Sequence, residues 1–253
     1  MISTYILAVL SASTGVLATT GKFEFYAYDG LPGALAYGRV DGIISPGQVS
    51  GHVHALYGSN AIGVNYDYNR SVAESSCTTM RVQQDLSNYW FPALYHYDGI
   101  SNFNLLNSRF SVYYWGTTNS YDSSDVYGQD KRYAFPENFK MLAGNMMQRT
   151  LNYSDPASMA EQFQCQMTGA PGGGPYSRDM RDFQRQNLTC DLALRATVGF
   201  PSCWDGLTDN SDNTHVVYPD NNQVCPSSHP QALMRLVFEV FLSPERLDFH
   251  ELI

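Results

Sequence analysis

The sequence has few positively charged side chains. Lys and Arg together number 15, against 24 Asp and Glu, and the formal net charge is −9. Nucleic acids and anionic membranes are bound by clusters of Lys and Arg, and this sequence contains no such cluster. We therefore expect neither a nucleic acid nor a membrane as a partner.

Long hydrophobic segments are also absent, because no run approaches the roughly 18 apolar residues of a transmembrane helix. Residues 1–18 (MISTYILAVLSASTGVLA) carry no charge and have a short apolar centre at 5–10, with small residues just before Thr19. The usual positive start is missing, yet the pattern predicts a secretory signal peptide. The alternative is a buried first strand or helix. We expect a secreted protein, located outside the cell or in the cell wall.

Several common catalytic signatures are missing. The sequence has no G-x-S-x-G motif, no Walker loop, no dinucleotide-binding glycine fingerprint and no H-E-x-x-H motif. Copper enzymes that cut polysaccharides oxidatively need His at the mature N-terminus, and the predicted start, Thr19, does not supply it. We expect no cofactor, although a metal held by histidines is one alternative considered below.

What the sequence does contain indicates one folded domain over residues 19–253. Hydrophobic residues make up 43% of the chain and aromatic residues 13%, with 18 Tyr, which is enough to bury a core. β-branched and aromatic runs predict strands, and a proline-initiated segment predicts a helix. The strands are expected at 35–44, 110–115, 192–200 and 233–242, the helix at 156–164, and loops at 117–130 and 169–175. We expect a mainly β, antiparallel sandwich or jelly-roll-like domain with long loops and one or two short helices, which acts as a monomer.

Glycosylation and disulfide bonds are both expected of such a secreted chain. The sequence has three N-x-S/T triplets, at Asn69, Asn152 and Asn187. Together with the signal peptide they favour a glycoprotein from an oxidising compartment. The five cysteines then leave one thiol over after pairing.

Two histidines lie two residues apart in the motif SGHVH (50–54). In an extended strand both imidazoles, His52 and His54, project to the same face, where they can bind a metal or transfer protons. The alternatives are two hydrogen-bonded histidines in a polar pocket, or a pair on the surface. A third histidine, His215, begins a short predicted strand ten residues after Asp205.

Two carboxylates lie in suggestive surroundings. Trp204 and Asp205 follow a predicted strand, and an indole beside a carboxylate is typical of sugar sites. A turn formed by Asp-Gly beside a core Trp is the more ordinary explanation. Glu239 lies between Val237 and Phe241, where desolvation raises the pKa of a carboxyl unless a cation or donor offsets it. A raised pKa suits a general acid, and the alternative is a salt bridge to Arg235.

These motifs, in this order, resemble a secreted fungal family that is described as a domain of unknown function and is often joined to WSC carbohydrate-binding domains. The matching stretches are Arg39 to Asp41, Ser45-Pro46-Gly47, SGHVH (50–54), Gly58-Ser59-Asn60, Ser76 to Thr79, Asp85 with Ser87, Tyr89-Trp90 with Pro92, Leu94-Tyr95, Phe135-Pro136, Ala143-Gly144-Asn145, FPSCWDG (200–206), His215-Val216 with Tyr218-Pro219, Cys225-Pro226 with His229-Pro230, and Phe238-Glu239. The match covers nearly the whole mature chain.

The resemblance implies a single secreted β-rich domain connected with fungal cell walls or plant polysaccharide. The matching positions include Asp41 and Asp85 beside the histidines and carboxylates already named. Members of the family often carry a second Cys three residues after the position of Cys77, where this chain has Met80, and Pro where it has Gly42.

Our leading hypothesis is a glycoside hydrolase that acts on β-glucan-like cell-wall polysaccharide. Glu239 and Asp205 would supply the acid and the base or nucleophile, and His52, His54 and His215 would orient them or hold the sugar. The expected sugar-binding residues are Trp90, Trp204, Tyr218, Asp41 and Asp85. One alternative is a non-catalytic wall-binding protein. The other is a metalloprotein that uses His52, His54 and His215 with a carboxylate.

The resemblance also completes a disulfide assignment. Cys203 and Cys225 bracket the loop from Asp205 to His215, and Cys165 and Cys190 bracket the glycine-rich loop. We expect these two pairs to be bridged. Cys77 is then the free thiol, because Met80 stands at the position of its partner in the family.

Overall fold

The computed structural model describes residues 24–26, 33–115, 132–207, 213–221, 223–243 and 247–248. The predicted signal peptide and the predicted loop at 117–130 lie outside the described residues.

Short strands dominate these ranges. The strands are β1 Glu24–Tyr26, β2 Ala36–Gly38, β3 His54–Gly58, β4 Asn88–Pro92, β5 Tyr95–Tyr97, β6 Phe103–Leu105, β7 Asn107–Trp115, β8 Glu161–Gln166, β9 Tyr176–Ser177, β10 Thr189–Cys190, β11 Ala193–Gly199, β12 Cys203–Trp204, β13 Val216–Val217, β14 Gln231–Ala232, β15 Arg235–Ser243 and β16 Leu247–Asp248. The helices are α1 Tyr68–Glu74, α2 Pro156–Met159 and α3 Arg181–Arg185, with a 3₁₀ turn at Pro171–Gly173.

The largest sheet has six strands in the order β1-β7-β15-β11-β8-β9, and every neighbouring pair is antiparallel. Its two longest strands, β7 and β15, pair along their full length from Arg235 opposite Trp115 to Ser243 opposite Asn107. The strands predicted at 110–115, 192–200 and 233–242 are confirmed as β7, β11 and β15.

A smaller sheet, in the order β2-β3-β4, packs against one face of the six-stranded sheet. Tyr57 and Tyr89 from this sheet meet Phe110 of β7 at ring-centroid distances of 4.9 and 5.8 Å. Phe110 in turn meets Phe238 of β15 at 4.8 Å. Alternate residues of each strand point into this core, as the pleat of a strand dictates. The predicted mainly β, antiparallel fold is confirmed, and these sheets do not close into a barrel in the described ranges.

Three further pairings complete the fold. Strands β13-β12-β14 form a three-stranded sheet, β10 pairs with β16, and β5 pairs with β6. Disulfide bonds join Cys165 to Cys190 and Cys203 to Cys225, and Cys77 is an exposed free thiol. The predicted cysteine pairing is therefore confirmed. Of the described helices, none is long and apolar enough to cross a membrane.

The helix predicted at 156–164 is correct only at its beginning. The Asp155 side chain accepts from the Ala157 backbone N–H and Pro156 begins the helix, but the helix ends at Met159. From Glu161 the chain becomes strand β8, whose Phe163 lies against the core. Tertiary packing of these alternating side chains outweighs a helix signal that rests on the first turn alone.

The strand predicted at 35–44 is shorter than expected, because β2 covers only Ala36–Gly38. A turn follows in which the Asp41 carboxylate accepts hydrogen bonds from the backbone N–H groups of Ile43 and Ile44, both at 2.8 Å. Asp residues favour such turns because their side chain satisfies backbone donors that a strand would otherwise pair.

Candidate functional site

The face of the six-stranded sheet that points away from the core carries a row of polar side chains across five strands. Strand pairing sets Glu239 opposite both Ser111 and Thr197, and sets Arg195 opposite Gln164. These residues share a face because the residues between them, such as Phe238 and Val240, lie in the core. We call Tyr113, Glu239, Arg195, Gln164 and Tyr176 the Glu239 row.

Both carboxylate oxygens of Glu239 have a partner. The Tyr113 hydroxyl donates to Oε2, and the Arg195 guanidinium forms an ion pair with Oε1. The Glu239 side chain is only 7% exposed, whereas that of Arg195 is 29% exposed. The carboxylate is thus held in a fixed position under a partly accessible guanidinium, which suits an acceptor, a base or a nucleophile.

The environment of Glu239 differs from the sequence-based expectation. The Glu239 carboxylate is buried, as expected, and its two partners are a cation, Arg195, and a hydroxyl donor, Tyr113. The alternative of a salt bridge from Glu239 to Arg235 is wrong, because the ion pair runs to Arg195 on the neighbouring strand. Burial instead lowers the pKa of Arg235 itself.

The Glu239 row continues to the glycine-rich loop. Arg195 Nη1 donates to Gln164 Oε1 at 2.8 Å, and Gln164 Nε2 donates to the carbonyl oxygens of Gly172 and Gly174 at 2.6 and 3.1 Å. Gln164 is fully buried, and its neighbour Cys165 is tied to Cys190. The loop is therefore fixed to one end of the row by side-chain bonds and by a disulfide.

Asp205 lies in a different environment, at the end of β12 in the three-stranded sheet. Its Oδ1 accepts from the Leu207 backbone N–H at 2.8 Å, and its own N–H donates to the His215 carbonyl at 3.1 Å. Gly206 follows with φ of +86°, as the turn requires. This is the turn that an Asp-Gly pair ordinarily forms. No hydrogen bond or ion pair joins Asp205 to Glu239 in the described ranges.

Trp204 and His215 belong to an aromatic cluster beside that turn. The Phe139 ring meets the Trp204 and His215 rings edge to face, at 5.7 and 5.1 Å. His215 is fully buried, and its Nε2 lies 2.8 Å from the Lys140 carbonyl oxygen. His215 Nδ1 and Trp204 Nε1 are buried without a hydrogen-bond partner among the described residues. Lys140 thus fixes the imidazole in a packed cluster.

His52 and His54 are close to one another, with ring centroids 6.2 Å apart. However, only His54 lies in a strand, and it is buried while His52 is exposed at a bend. His54 Nδ1 lies 2.8 Å from the Val40 carbonyl oxygen, next to the Asp41 turn. The expected pair of imidazoles in one extended strand is therefore only partly formed.

Two of the expected sugar-binding residues, Trp90 and Asp85, occupy separate environments on and beside β4. Trp90 is half-buried opposite Leu56, on the face of the smaller sheet that also carries His54. Asp85 instead accepts from the Tyr89 hydroxyl at 2.6 Å at the edge of the core. Burial, with the charge of Asp85 among the further causes, holds the pKa of Tyr89 well above its usual range.

Tyr218 lies near a carboxyl group that the sequence did not single out, that of Glu161. Its hydroxyl donates to the Gly199 carbonyl at 2.9 Å and accepts from the Gly144 N–H at 3.1 Å, and burial raises its pKa to about 12. The Glu161 carboxylate also lies beside Gly144. Its Oε1 is 2.3 Å from the position that a Cβ would occupy if Gly144 carried a side chain. Desolvation raises the pKa of Glu161. The sequence signals available for Glu161 were the motif Ala143-Gly144-Asn145 and the position of Glu161 as the first residue of a strand.

The fold divides these residues among separate surfaces. His52, His54, Trp90 and Asp41 lie on or beside the smaller sheet, and the Glu239 row lies on the outer face of the six-stranded sheet. The shared aromatic core separates the two faces, and packed sheets stand about 10 Å apart. Glu161 pairs with Val198 and so lies on the core side, opposite to Glu239. No group of three or more His, Cys, Asp or Glu side chains that could hold a metal is present in the described ranges.

All three predicted glycosylation sites are accessible. Asn69 lies on α1, Asn152 precedes α2, and Asn187 follows α3, and each is exposed. Asn187 also adopts a left-handed backbone conformation with φ of +55°, which Asn tolerates.

The described residues thus define a mainly β, disulfide-linked protein with a polar row on its largest sheet. A family model described as a domain of unknown function (DUF1996) matches residues 41–250, and the chain belongs to this family. No curated protein matches the chain. No solved structure matches it either.

Proposed function

We propose that this protein is a secreted, glycan-active protein that engages a β-glucan-like cell-wall polysaccharide at the Glu239 row. One observation carries the proposal: a buried carboxylate is held by Arg195 and Tyr113 at the centre of a polar sheet face. Sugar hydroxyls are recognised by such fixed carboxylate, guanidinium and amide groups, and aromatic rings stack on sugar faces. Tyr176, which is 52% exposed at the end of the row, supplies such a ring.

Hydrolysis is the catalytic form of this proposal. Glu239 would act as base or nucleophile, because it is oriented by Tyr113 and Arg195. A glycoside hydrolase of the common type needs a second carboxyl group about 5 to 10 Å away. Asp205 was the expected partner, and its engagement in the turn before Leu207 does not favour that role.

Binding without turnover is the second candidate, and a specific observation favours it. Among the strand residues whose side chains the structure describes, Glu239 is the only carboxylate on its face of the six-stranded sheet. A single fixed carboxylate is sufficient to bind hydroxyl groups but supplies only half of the acid–base pair. We do not carry the metalloprotein alternative further, since His52, His54 and His215 do not form a ligand group.

Secretion, glycosylation and the association with cell walls belong to the same proposal. The two disulfide bonds support an oxidising compartment. The exposure of Asn69, Asn152 and Asn187 supports their modification. Joining to WSC carbohydrate-binding domains stays an expectation from the resemblance.

The test uses the secreted full chain and a matched pair of variants. Glu239→Gln removes the charge on the row, and Glu74→Gln removes an exposed carboxylate that pairs with Arg70 on α1. Soluble β-glucan oligosaccharides are assayed for binding by calorimetry and for release of reducing ends. We expect Glu239→Gln to abolish turnover or to weaken binding at least tenfold, while Glu74→Gln behaves as the wild type.

Equal binding by Glu239→Gln and wild type would contradict the assignment of the row. The absence of binding and turnover by the wild type on fungal and plant glucans alike would contradict the glycan proposal itself. Binding without release of reducing ends would select the non-catalytic form.

A further inference from the structure

A β-hairpin that carries exposed apolar side chains extends from the core and contains none of the site residues predicted from the sequence. Strands β5 and β6 pair with Tyr97 opposite Phe103 and Tyr95 opposite Leu105, so these four side chains share one face. The base of the hairpin is anchored, because the Leu106 N–H donates to the Leu94 carbonyl at 2.9 Å and both residues pack in the core.

The end of this hairpin is unusually apolar for a solvent-exposed turn. Ile100 is 83% exposed and Phe103 is 69% exposed. The Phe103 ring lies 4.9 Å from the Tyr97 ring at an interplanar angle of 32°. We call Tyr97, Ile100 and Phe103 the hairpin tip. Exposed apolar side chains that form one contiguous patch indicate a binding surface, whereas single scattered ones do not.

The hairpin tip is rigid before any partner arrives. The Asp98 carboxylate accepts hydrogen bonds from the backbone N–H groups of Ile100, Ser101 and Asn102, at 2.9 to 3.0 Å. The Tyr97 hydroxyl donates to the Ile100 carbonyl at 2.9 Å. A binding element that is ordered in advance loses little conformational entropy on binding.

The charge of this segment limits the class of its partner. Residues 93–108 contain no Lys, Arg or Glu, and Asp98 is their only formally charged side chain. An anionic lipid or an acidic partner would need cations on this segment, which has none. A basic partner would need several free carboxylates, whereas backbone donors already occupy the single one here, that of Asp98. Exposed aromatic rings without charged neighbours match an uncharged ligand with apolar C–H faces, such as those of a sugar ring.

We infer that the hairpin tip is a second binding element for uncharged polysaccharide, separate from the Glu239 row. The inference rests on the proposed function, and it adds the class of substrate: a neutral, insoluble or long-chain glycan that can contact two elements of one protein. The Phe103 and Tyr97 rings stack on sugar faces, and Ile100 adds apolar contact at the turn. Short oligosaccharides would fill the Glu239 row and leave the hairpin tip unused.

The experiment measures depletion of the full chain from suspensions of insoluble β-1,3-glucan, and in parallel its affinity for a soluble β-1,3-glucan oligosaccharide. Phe103→Ala removes the most exposed ring of the tip, and Tyr153→Ala removes a ring that is 77% exposed elsewhere as the matched control. We expect Phe103→Ala to weaken retention on the insoluble glucan about tenfold, the equivalent of one stacked ring. Its affinity for the soluble oligosaccharide should stay that of the wild type.

Glu239→Gln should give the opposite pattern, with weaker oligosaccharide binding and substantial retention on the insoluble glucan. Equal retention of Phe103→Ala and Tyr153→Ala would overturn the inference and leave the proposed function intact. No glucan binding by the wild type in either assay would overturn both. Phe103-dependent binding to uncharged lipid vesicles, or Phe103-dependent dimerisation with no effect on glucan retention, would also overturn it, because the occupant would then be a membrane or a second copy.

Discussion

Arg195 on β11 and Glu239 on β15 form an ion pair that crosses two adjacent strands diagonally. Strand register places Arg195 opposite Phe241 and Glu239 opposite Thr197, so the two charged side chains reach toward each other along the sheet. The pair lies on the face away from the aromatic core, and Tyr113 from the strand on the other side completes the surroundings of the carboxylate. Three strands that are distant in sequence therefore build one site.

Replacement of Arg195 by Met should destabilise the protein by about 2 to 3 kcal/mol. Removal of one partner from a fully buried pair leaves an uncompensated charge and costs about 3 to 5 kcal/mol. Because Arg195 is partly exposed, we expect a loss at or just below the lower end of that range. Urea unfolding of Arg195→Met measures this loss. The control is Arg70→Met, which breaks an exposed pair with Glu74 and should cost less than about 0.5 kcal/mol.

The double variant Arg195→Met with Glu239→Gln tests the reason for that loss. It should recover most of the lost stability, because no buried charge remains without a partner. If the double variant is as unstable as the sum of both single variants, the loss arises from packing of the Arg195 stem and the ion pair contributes little.

Glu161 should make the protein less stable as the pH rises above about 4.5. Desolvation raises the pKa of Glu161 from its ordinary value of 4.5 in the folded state. The folded protein therefore binds this proton more tightly than the unfolded chain does, and the resulting stability is lost as the pH rises through the folded pKa. Unfolding free energies of wild type and Glu161→Gln at about pH 4 and about pH 7 test this, and the wild type should lose stability relative to the variant.

Asp179 provides a comparison of opposite sign for that experiment. A hydrogen bond from Arg181 lowers the pKa of Asp179, so its contribution is present at neutral pH and is lost as the pH falls. The wild type should therefore lose stability relative to Asp179→Asn toward low pH. A Glu161→Gln curve parallel to that of the wild type would contradict the desolvation of Glu161.

Cys77 should be the one reactive thiol of each chain. The two disulfides occupy the other four cysteines, and Cys77 is exposed in the folded protein. Titration with a thiol reagent should give one equivalent both in native and in denatured, unreduced protein, and none for Cys77→Ser. Three or more equivalents in denatured wild type would overturn the disulfide pairing.

Much of the fold was predictable from local sequence patterns. The strands around Phe110, Val198 and Phe238 were found because β-branched and aromatic residues alternate there, and because one alternate set faces the core. The disulfides were predictable because each pair of cysteines closes one loop. The helix at Pro156 was overextended because the signals at its start carry no information about where tertiary packing ends it.

Of the five residues of the Glu239 row, the sequence alone singled out one. Glu239 was identified from its apolar neighbours, yet its partners Arg195 and Tyr113 come from other strands and have no fixed spacing in the sequence. Asp205 and His215 were expected to act with Glu239, but they lie next to strands β12 and β13 of a separate three-stranded sheet. Which strands become neighbours depends on sheet order, and that order is set by the whole core rather than by any motif.

Gly58 should be the glycine of this fold that is least able to accept a side chain, within the described residues. It ends β3 with φ of +91°, and a Cβ there would lie 1.9 Å from the Ser87 carbonyl oxygen, a backbone atom that accepts from the Ser59 N–H. Gly58→Ala should therefore cost roughly 3 kcal/mol or more, through left-handed strain and displacement of that backbone.

Gly169→Ala is the matched control, because Gly169 has φ of +74° with nothing within 4 Å of its Cβ position. It should cost only about 1 kcal/mol, the strain alone. Equal losses in urea unfolding would mean that β3 and the Ser87 segment can separate, and that their close approach does not constrain the smaller sheet.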